Sequence, residues 1–359
     1  MIVRYQEDTV NLINPLAAVT LCCAATFFIS CDKGGSNFSV LSSSAQFQQE
    51  LTYEPRKIDV LFVVDNSGSM SSSQLSLASN FPSFINYFKA KGYDFKIAVT
   101  TTDAFYGDQF VTSGCSLCNI NQTKFRSGTN PKIYTIDSTT PGLESVFAQN
   151  INVGISGSGD ERAFSSFKAA LSSSLNADFR RPLAFLSVII VSDEEDFSHD
   201  DINLNQSYTQ PTLHSISSYK TFLEGFTAGQ SNTDFHVSTI SILDEPCRAS
   251  LGAGRKIGLR YMELADSTGG SKNSICNTFD TILNSISIQI VNQIKAQFFL
   301  TRNPILSSIR VIIEGVLIPQ DAVNGWTYDS VTNSISIHGS FIPNAGASIT
   351  INFDPESVN

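Results

Sequence analysis

The stretch IDVLFVVDNSGSM, residues 58–70, joins an apolar run to a polar loop. Residues 58–64 have the length of one β-strand and are apolar toward both faces. This pattern is typical of a central strand in a parallel sheet that helices cover. The loop at 65–70 follows directly, and open α/β sheets bind their ligands at the carboxyl ends of the strands. The stretch therefore predicts an α/β fold with functional residues after its first central strand.

Strand and helix patterns alternate downstream of this strand. Apolar side chains recur at helical spacing over residues 77–88, and Gly92 stands where that helix should end. Apolar runs of strand length follow at 95–101, at 183–191 and at 235–243. The alternation predicts a doubly wound, mostly parallel sheet of Rossmann-like architecture, flanked by helices.

The pattern changes after the last predicted helix. Apolar residues alternate with polar ones in short stretches such as 309–313 and 349–351, with Pro, Gly and Asn between them. We therefore expect the doubly wound domain to span 56–300 and a small all-β module to span 301–359. A module of this size is marginally stable alone and should pack on the larger domain.

Asp65, Ser67 and Ser69 place one carboxylate and two hydroxyls at alternate positions of the first loop. Such side chains can converge on a hard cation, and an oxygen-only set with few charges suits Mg²⁺, with Mn²⁺ or Ca²⁺ as alternatives. The other interpretation is that they only cap the first helix, since Asp and Ser are preferred N-cap residues. Both interpretations stay open at this point.

The motif resembles the metal-ion-dependent adhesion site (MIDAS) of von Willebrand factor A (VWA) domains, where Asp-x-Ser-x-Ser follows the first strand. The resemblance covers residues 56–300 and implies the VWA form of the doubly wound fold. It also implies that Ser67 and Ser69 bind the metal directly and that Asp65 binds it mostly through water. A second aspartate at the end of a central strand is expected, and Asp193 matches that position.

The resemblance further implies a threonine ligand, which the corresponding stretch GSGDE at 157–161 lacks. Ser158, Asp160 or Glu161 could replace the threonine, directly or through water. The family leaves one metal position open for an acidic side chain of a protein partner. The acids at 194–196 are expected to be solvated or to lie near a helix N-terminus.

The N-terminal part of the chain carries an uncharged apolar segment at residues 16–29. Its length fits a signal-peptide apolar region and is short for a membrane-spanning helix. Ser30 and Cys31 resemble the end of a bacterial lipobox, so we expect residues 1–31 to be a lipoprotein signal peptide with lipidation at Cys31. Residues 32–55 are then a flexible tether. A short buried helix is the alternative.

Four cysteines lie in the predicted doubly wound domain: Cys115, Cys118, Cys247 and Cys276. An even number in an exported domain indicates disulfides. We favour the pairs Cys115–Cys118 and Cys247–Cys276, because the first two are adjacent in one loop. Zinc binding by the Cys-x2-Cys pair is the alternative, although no second such pair accompanies it.

The net charge of −10 argues against a nucleic-acid partner, whose binding rests mainly on Lys and Arg. Together with the resemblance, these features predict a cell-envelope lipoprotein of Gram-negative bacteria that is not an enzyme. It would be lipid-anchored to the inner or outer membrane, periplasmic or surface-exposed, and bind a protein partner or adhere through its metal. One alternative is a structural or assembly factor whose metal site is dispensable, and another is a metal-assisted hydrolase. The oligomeric state stays open.

Overall fold

The computed structural model describes residues 47–356, except residues 114, 116, 117, 203–206, 232 and 295. The predicted signal peptide, Cys31 and the first part of the predicted tether lie outside these residues. Within the described part of the chain, no helix is long and apolar enough to cross a membrane. The strands are β1 (Phe47–Thr52), β2 (Ile58–Val64), β3 (Phe95–Thr101), β4 (Thr135–Asp137), β5 (Phe185–Val191), β6 (Phe235–Ser241), β7 (Lys272–Ser274), β8 (Ala296–Phe299), β9 (Arg310–Ile313), β10 (Val316–Ile318), β11 (Trp326–Asp329), β12 (Ser334–Ile337) and β13 (Ser348–Phe353). The α-helices are α1 (Ser71–Lys91), α2 (Ala104–Gln109), α3 (Leu143–Ile151), α4 (Ala163–Ser172), α5 (Ile216–Thr227), α6 (Glu245–Leu251), α7 (Leu259–Thr268) and α8 (Phe279–Gln293).

The central sheet has the strand order β4-β3-β2-β5-β6-β7. Neighbouring strands pair in parallel, except for β4, which is antiparallel to β3. Val64 at the end of β2 pairs with Thr101 at the end of β3 and with Val191 at the end of β5. The carboxyl ends of these three strands are therefore level, and the loops that follow them start at the same edge of the sheet.

Side chains along each central strand point alternately to the two faces of the sheet. Helices pack on both faces, so the sheet lies between two apolar cores. Val60, Phe62 and Val64 of β2 share one core with residues of α1, α3 and α8. Leu61 and Val63 share the second core with residues of α4, α5 and α7. All five side chains are fully buried. The predicted α/β class is confirmed, with a mixed, mostly parallel central sheet.

Two antiparallel sheets accompany the central one, with the orders β1-β13-β9-β10 and β11-β12-β8. Ile349, Ile351 and Phe353 of β13 lie in the same apolar core as α1 and α8. Strand β8 ends before residue 301 and pairs with β12, and all these strands belong to one compact unit with the central sheet. The C-terminal strands share an apolar core with the doubly wound part, as a small module that packs on a larger domain would. The boundary between 56–300 and 301–359 stays a prediction.

Strand β1 lies within the range 32–55 that was predicted to be a flexible tether. It pairs antiparallel with β13, with Phe47 opposite Phe353 and Leu51 opposite Ile349. The side chains of Gln48 and Glu50, on its other face, are exposed. The tether prediction is wrong for β1. Two apolar residues among polar ones are a weak sequence signal for a strand, and the cross-strand pairs with β13 that stabilise it form only in the folded chain.

Both favoured disulfides are present. Cys115 bonds to Cys118, and Cys247 bonds to Cys276 across 29 residues of sequence. The predicted pairing is confirmed. Because the two sulfur atoms of the Cys-x2-Cys pair bond to each other, they are not separate thiolates that could ligate zinc.

Candidate functional site

Asp65 holds the loop between β2 and α1 in place through hydrogen bonds. Its side chain is fully buried. The Oδ1 atom accepts a hydrogen bond from the Ser67 backbone N–H at 2.7 Å, and Oδ2 accepts one from the Ser192 hydroxyl at 2.7 Å. Helix α1 follows Met70 and has no side-chain hydrogen bond at its N-cap. Asp65 therefore shapes the loop and joins it to the residue after β5, and it does not cap the helix.

The other three principal residues of the prediction form a chain of short contacts. The hydroxyl oxygens of Ser67 and Ser69 lie 3.1 Å apart. The Ser69 hydroxyl donates to Oδ1 of Asp193 at 2.9 Å. Because β2 and β5 end at the same edge of the sheet, residues 124 positions apart in sequence meet there. The structure thus brings Asp65, Ser67, Ser69 and Asp193 together as the sequence predicted.

Ser158 and Asp160, the proposed replacements for threonine, are engaged elsewhere. The Ser158 hydroxyl accepts a hydrogen bond from the Asp160 backbone N–H at 3.0 Å. One oxygen of Asp160 pairs with the buried guanidinium of Arg162 at 2.6 Å and lies 3.5 Å from Nε2 of His199. In the described part of the chain, no hydrogen bond joins either side chain to the two loop serines or to Asp193. The structure does not favour them as ligands.

Glu161 is the third replacement that the sequence left open, and the structure sets it apart. Its side chain is only 1% exposed, and neither carboxylate oxygen has a hydrogen bond of normal geometry among the described residues. Burial, followed by the charges of Asp65 and Asp103, raises its pKa well above the ordinary value, and the Thr102 hydroxyl offsets this only in part. A buried carboxylate without partners is costly unless a proton or a cation neutralises it.

Asp103 belongs to the same cluster, although it was not among the predicted site residues. Its Oδ2 accepts hydrogen bonds from the Asn66 amide at 3.2 Å and from the Ser158 backbone N–H at 2.9 Å, whereas Oδ1 has no partner among the described residues. Burial, together with the charges of Asp65 and Asp160, raises the pKa of Asp103 to about 6. The signal was present, because Asp103 follows β3, a strand predicted to lie in the same parallel sheet.

The acids after Asp193 are not solvated; Glu195 and Asp196 lie at the N-termini of α7 and α4, which is the other position that the sequence left open for them. Burial and then the charge of Asp193 raise the pKa of Glu194 to about 8. Both oxygens of Glu195 accept from the Arg260 backbone N–H at 3.1 Å, and burial raises its pKa to about 7. Asp196 is fully buried and pairs with the Arg260 guanidinium at 3.1 Å. These acids lie inside the fold because the loop turns inward and packs against α4 and α7.

The donor set at this edge consists of oxygen atoms alone. Two hydroxyls and several carboxylates are the ligands that hard divalent cations prefer. The described residues contain no group of three or more His, Cys, Asp or Glu side chains placed to hold a metal ion. Any cation at this edge would therefore depend on the serine hydroxyls as much as on the acids.

Comparisons with protein families and with curated proteins found no match. Among solved structures, the pilus adhesin SpaC from Lactobacillus rhamnosus GG, in its open conformation, has a TM-score of 0.43 at 10% identity, over 85% of this chain and 40% of that chain. The pilus adhesin RrgA from Streptococcus pneumoniae has a TM-score of 0.31 at 8% identity, over 85% and 58%. Proximal thread matrix protein 1 from the mussel byssus has a TM-score of 0.35 at 10% identity, over 71% and 52%. The matches span less than two thirds of each of those chains, and likeness this low carries no argument about function.

These findings overturn the predicted membership of the VWA family and its MIDAS. No family model matches this chain, and the described residues hold no acid or histidine cluster arranged for a metal. The prediction extended a short motif to a whole domain, and a motif with one carboxylate and two neutral hydroxyls specifies too little. The cluster described above depends on its own geometry and not on that membership.

Proposed function

We propose that the protein binds one divalent cation where β2, β3 and β5 end, and that it uses this cation to bind a protein partner. The observation that carries the proposal is Glu161. Its buried carboxylate has no hydrogen bond of normal geometry in the described structure and lies where the charges of Asp65 and Asp103 raise its pKa. A cation beside these groups would neutralise all three at once.

The hydroxyls of Ser67 and Ser69 and the carboxylate of Asp193 supply oxygen atoms that already contact one another. We propose that these serines ligate the cation directly. Glu161 would then replace the threonine ligand, a position for which Ser158 and Asp160 were the other candidates. Asp65 uses both oxygens within the fold, so it would act on the cation mainly through its charge or a water molecule.

Mg²⁺ is the first choice of cation, because it keeps several water molecules and needs few protein ligands. Mn²⁺ has similar preferences, whereas Ca²⁺ takes six to eight oxygen ligands and would draw in more of the neighbouring acids. A ligand position that water holds can pass to an acidic side chain of the partner. Protein binding or adhesion in the cell envelope is the role that we propose, without enzymatic activity. The two disulfides favour an oxidising compartment, and anchoring at Cys31 stays a prediction.

Thermal unfolding of the purified protein tests the cation. It should be measured in EDTA and then with Mg²⁺, Mn²⁺ or Ca²⁺, for the parent and for Asp65→Asn. A cation at about 100 times its dissociation constant stabilises the fold by about 2.7 kcal/mol, which raises the melting temperature of a chain of this length by about 4 °C. Asp234→Asn is the matched control, since Asp234 is a carboxylate paired with Arg56 just before β6.

We expect the shift in the parent and in Asp234→Asn, and its loss in Asp65→Asn. A parent that responds to none of the three cations at millimolar concentrations would contradict the proposal. The alternative of a structural or assembly factor would then become the better account. It predicts that Asp65→Asn keeps whatever complex the parent forms.

A further inference from the structure

Arg255 lies in the loop between α6 and α7 and touches the proposed cation site. Its Nε atom is 2.8 Å from Oδ2 of Asp193. The other oxygen of that carboxylate accepts the hydrogen bond from Ser69. The carboxylate of Asp193 is thus divided between a hydroxyl of the site and a guanidinium from outside it. The side chain of Arg255 is 25% exposed, and that of Asp193 is 6% exposed.

The backbone beside Arg255 is held to the site independently of this ion pair. The Lys256 N–H donates to the carbonyl oxygen of Asp193 at 3.2 Å, and the Gly258 N–H donates to that of Ile242 at 2.9 Å. The Nη1 atom of Arg255 donates a hydrogen bond to the carbonyl oxygen of Ala253 at 3.3 Å, while its Nε atom contacts Asp193 as an ion pair without the geometry of a hydrogen bond. The guanidinium can therefore leave Asp193 while the loop stays in place.

Arg255 is a basic residue in direct contact with an acid of the cluster. Arg255 forms an ion pair with Asp193, whereas the charges of Lys256 and Arg126 act on Glu194 and Asp103 without an ion pair among the described residues. A divalent cation and this guanidinium would neutralise the same carboxylate. Arginine also binds carboxylates in a planar, two-bond geometry that lysine cannot reproduce.

We propose that Arg255 is the carboxylate-recognition residue of the site, an inference that rests on the proposed function. Without the cation, Arg255 neutralises Asp193. When the cation binds to Asp193, the guanidinium is released beside it and pairs with the acidic side chain of the partner. The guanidinium of Arg255 thus binds a carboxylate in both states: that of Asp193 without the cation, and that of the partner with it.

Mn²⁺ is the probe for the first half of this exchange, and electron paramagnetic resonance measures the free ion. Arg255→Gln should bind Mn²⁺ about 3- to 10-fold more tightly than the parent, because a competing positive charge is gone. Arg255→Lys should stay within about 2-fold of the parent, since it keeps the charge. Arg248→Gln is the matched control, because Arg248 pairs with the exposed Glu245 on α6.

Acetate is the probe for the second half. In the Mn²⁺-loaded protein, acetate that displaces bound water lowers the relaxation enhancement of water protons. Arg255→Gln should need several-fold more acetate than the parent for the same decrease. Equal Mn²⁺ affinity in the parent and Arg255→Gln would overturn the exchange, and an equal acetate response would overturn carboxylate recognition. Mn²⁺ binding to none of the variants would overturn the proposed function itself.

Discussion

Replacing Asp103 with Asn should make the stability of the cation-free protein less dependent on pH. The Asp103 carboxyl is half-buried, and its Oδ1 has no partner among the described residues. Burial, with the charges of Asp65 and Asp160, raises its pKa from 3.8 to about 6. Asn keeps an oxygen that can accept from Asn66 and Ser158 but carries no charge at any pH. The comparison therefore isolates the ionisation of this one group.

The direction of the effect follows from the order in which the two states lose the proton. Below about pH 4, Asp103 is protonated in the folded and the unfolded chain and adds no pH dependence. Between about pH 4 and pH 6 the unfolded state ionises first, so the free energy of unfolding of the parent falls. A rise of the pKa from 3.8 to about 6 corresponds to about 3 kcal/mol. Solvent screening of a half-buried group reduces this, and we expect about 1.5–3 kcal/mol.

Chemical denaturation in EDTA at pH 4, 5, 6 and 7 measures the effect for the parent and for Asp103→Asn. The free energy of unfolding of the variant should rise by about 1.5–3 kcal/mol relative to the parent across this range, or about 2–5 °C in melting temperature. Saturating Mg²⁺ should shrink the difference, because a nearby cation favours the ionised carboxylate. A constant difference between the two proteins from pH 4 to pH 7 would refute the electrostatic account of the cluster.

Three further substitutions test the core, the disulfide and the site. Phe62→Ala should lower the free energy of unfolding by about 3–5 kcal/mol, because Phe62 is fully buried between two helices. Chemical denaturation measures this loss. Val331→Ala is the control, because Val331 is 92% exposed. The paired change Cys247→Ser and Cys276→Ser should cost about 3–4 kcal/mol from the freed loop, or about 5–6 °C by calorimetry. Ser69→Ala should weaken Mn²⁺ binding about 10-fold by removing one hydroxyl ligand, with little change in the cation-free melting temperature.

Each of these expectations has a contrary result. A loss for Phe62→Ala no larger than that for Val331→Ala would mean that β2 is not central to the core. A paired serine variant that melts with the parent under non-reducing conditions would mean that the Cys247–Cys276 bond does not constrain the unfolded chain. Unchanged Mn²⁺ affinity in Ser69→Ala would remove that hydroxyl from the site.

The central strands were predictable because burial on both faces leaves a continuous apolar run. The predicted runs at 58–64 and 95–101 coincide with β2 (Ile58–Val64) and β3 (Phe95–Thr101). The run at 183–191 begins two residues before β5 (Phe185–Val191). Strand β1 was missed because Phe47 and Leu51, its two apolar residues, are four positions apart with no apolar residue between them, and their partners on β13 lie about 300 residues away in the chain.

The site was predictable where a sequence motif and a strand end coincide, at Asp65 and at Asp193. Asp103 also follows a central strand, β3, but no motif draws attention to it. Glu161 was left open because its burial depends on how the segment before α4 packs, and periodicity does not report such packing. The burial of Glu195 and Asp196 was missed because a run of acids resembles a solvated loop until Arg260 is placed beside it.

The most direct test of the cation site is a crystal structure of the protein grown with Mn²⁺, with anomalous scattering recorded at the manganese edge. We expect one anomalous peak within ligand distance of the hydroxyls of Ser67 and Ser69, with a carboxylate oxygen of Glu161 or Asp193 also bound. A crystal with full access to Mn²⁺ and no peak at this edge of the sheet, or a peak only elsewhere, would contradict it.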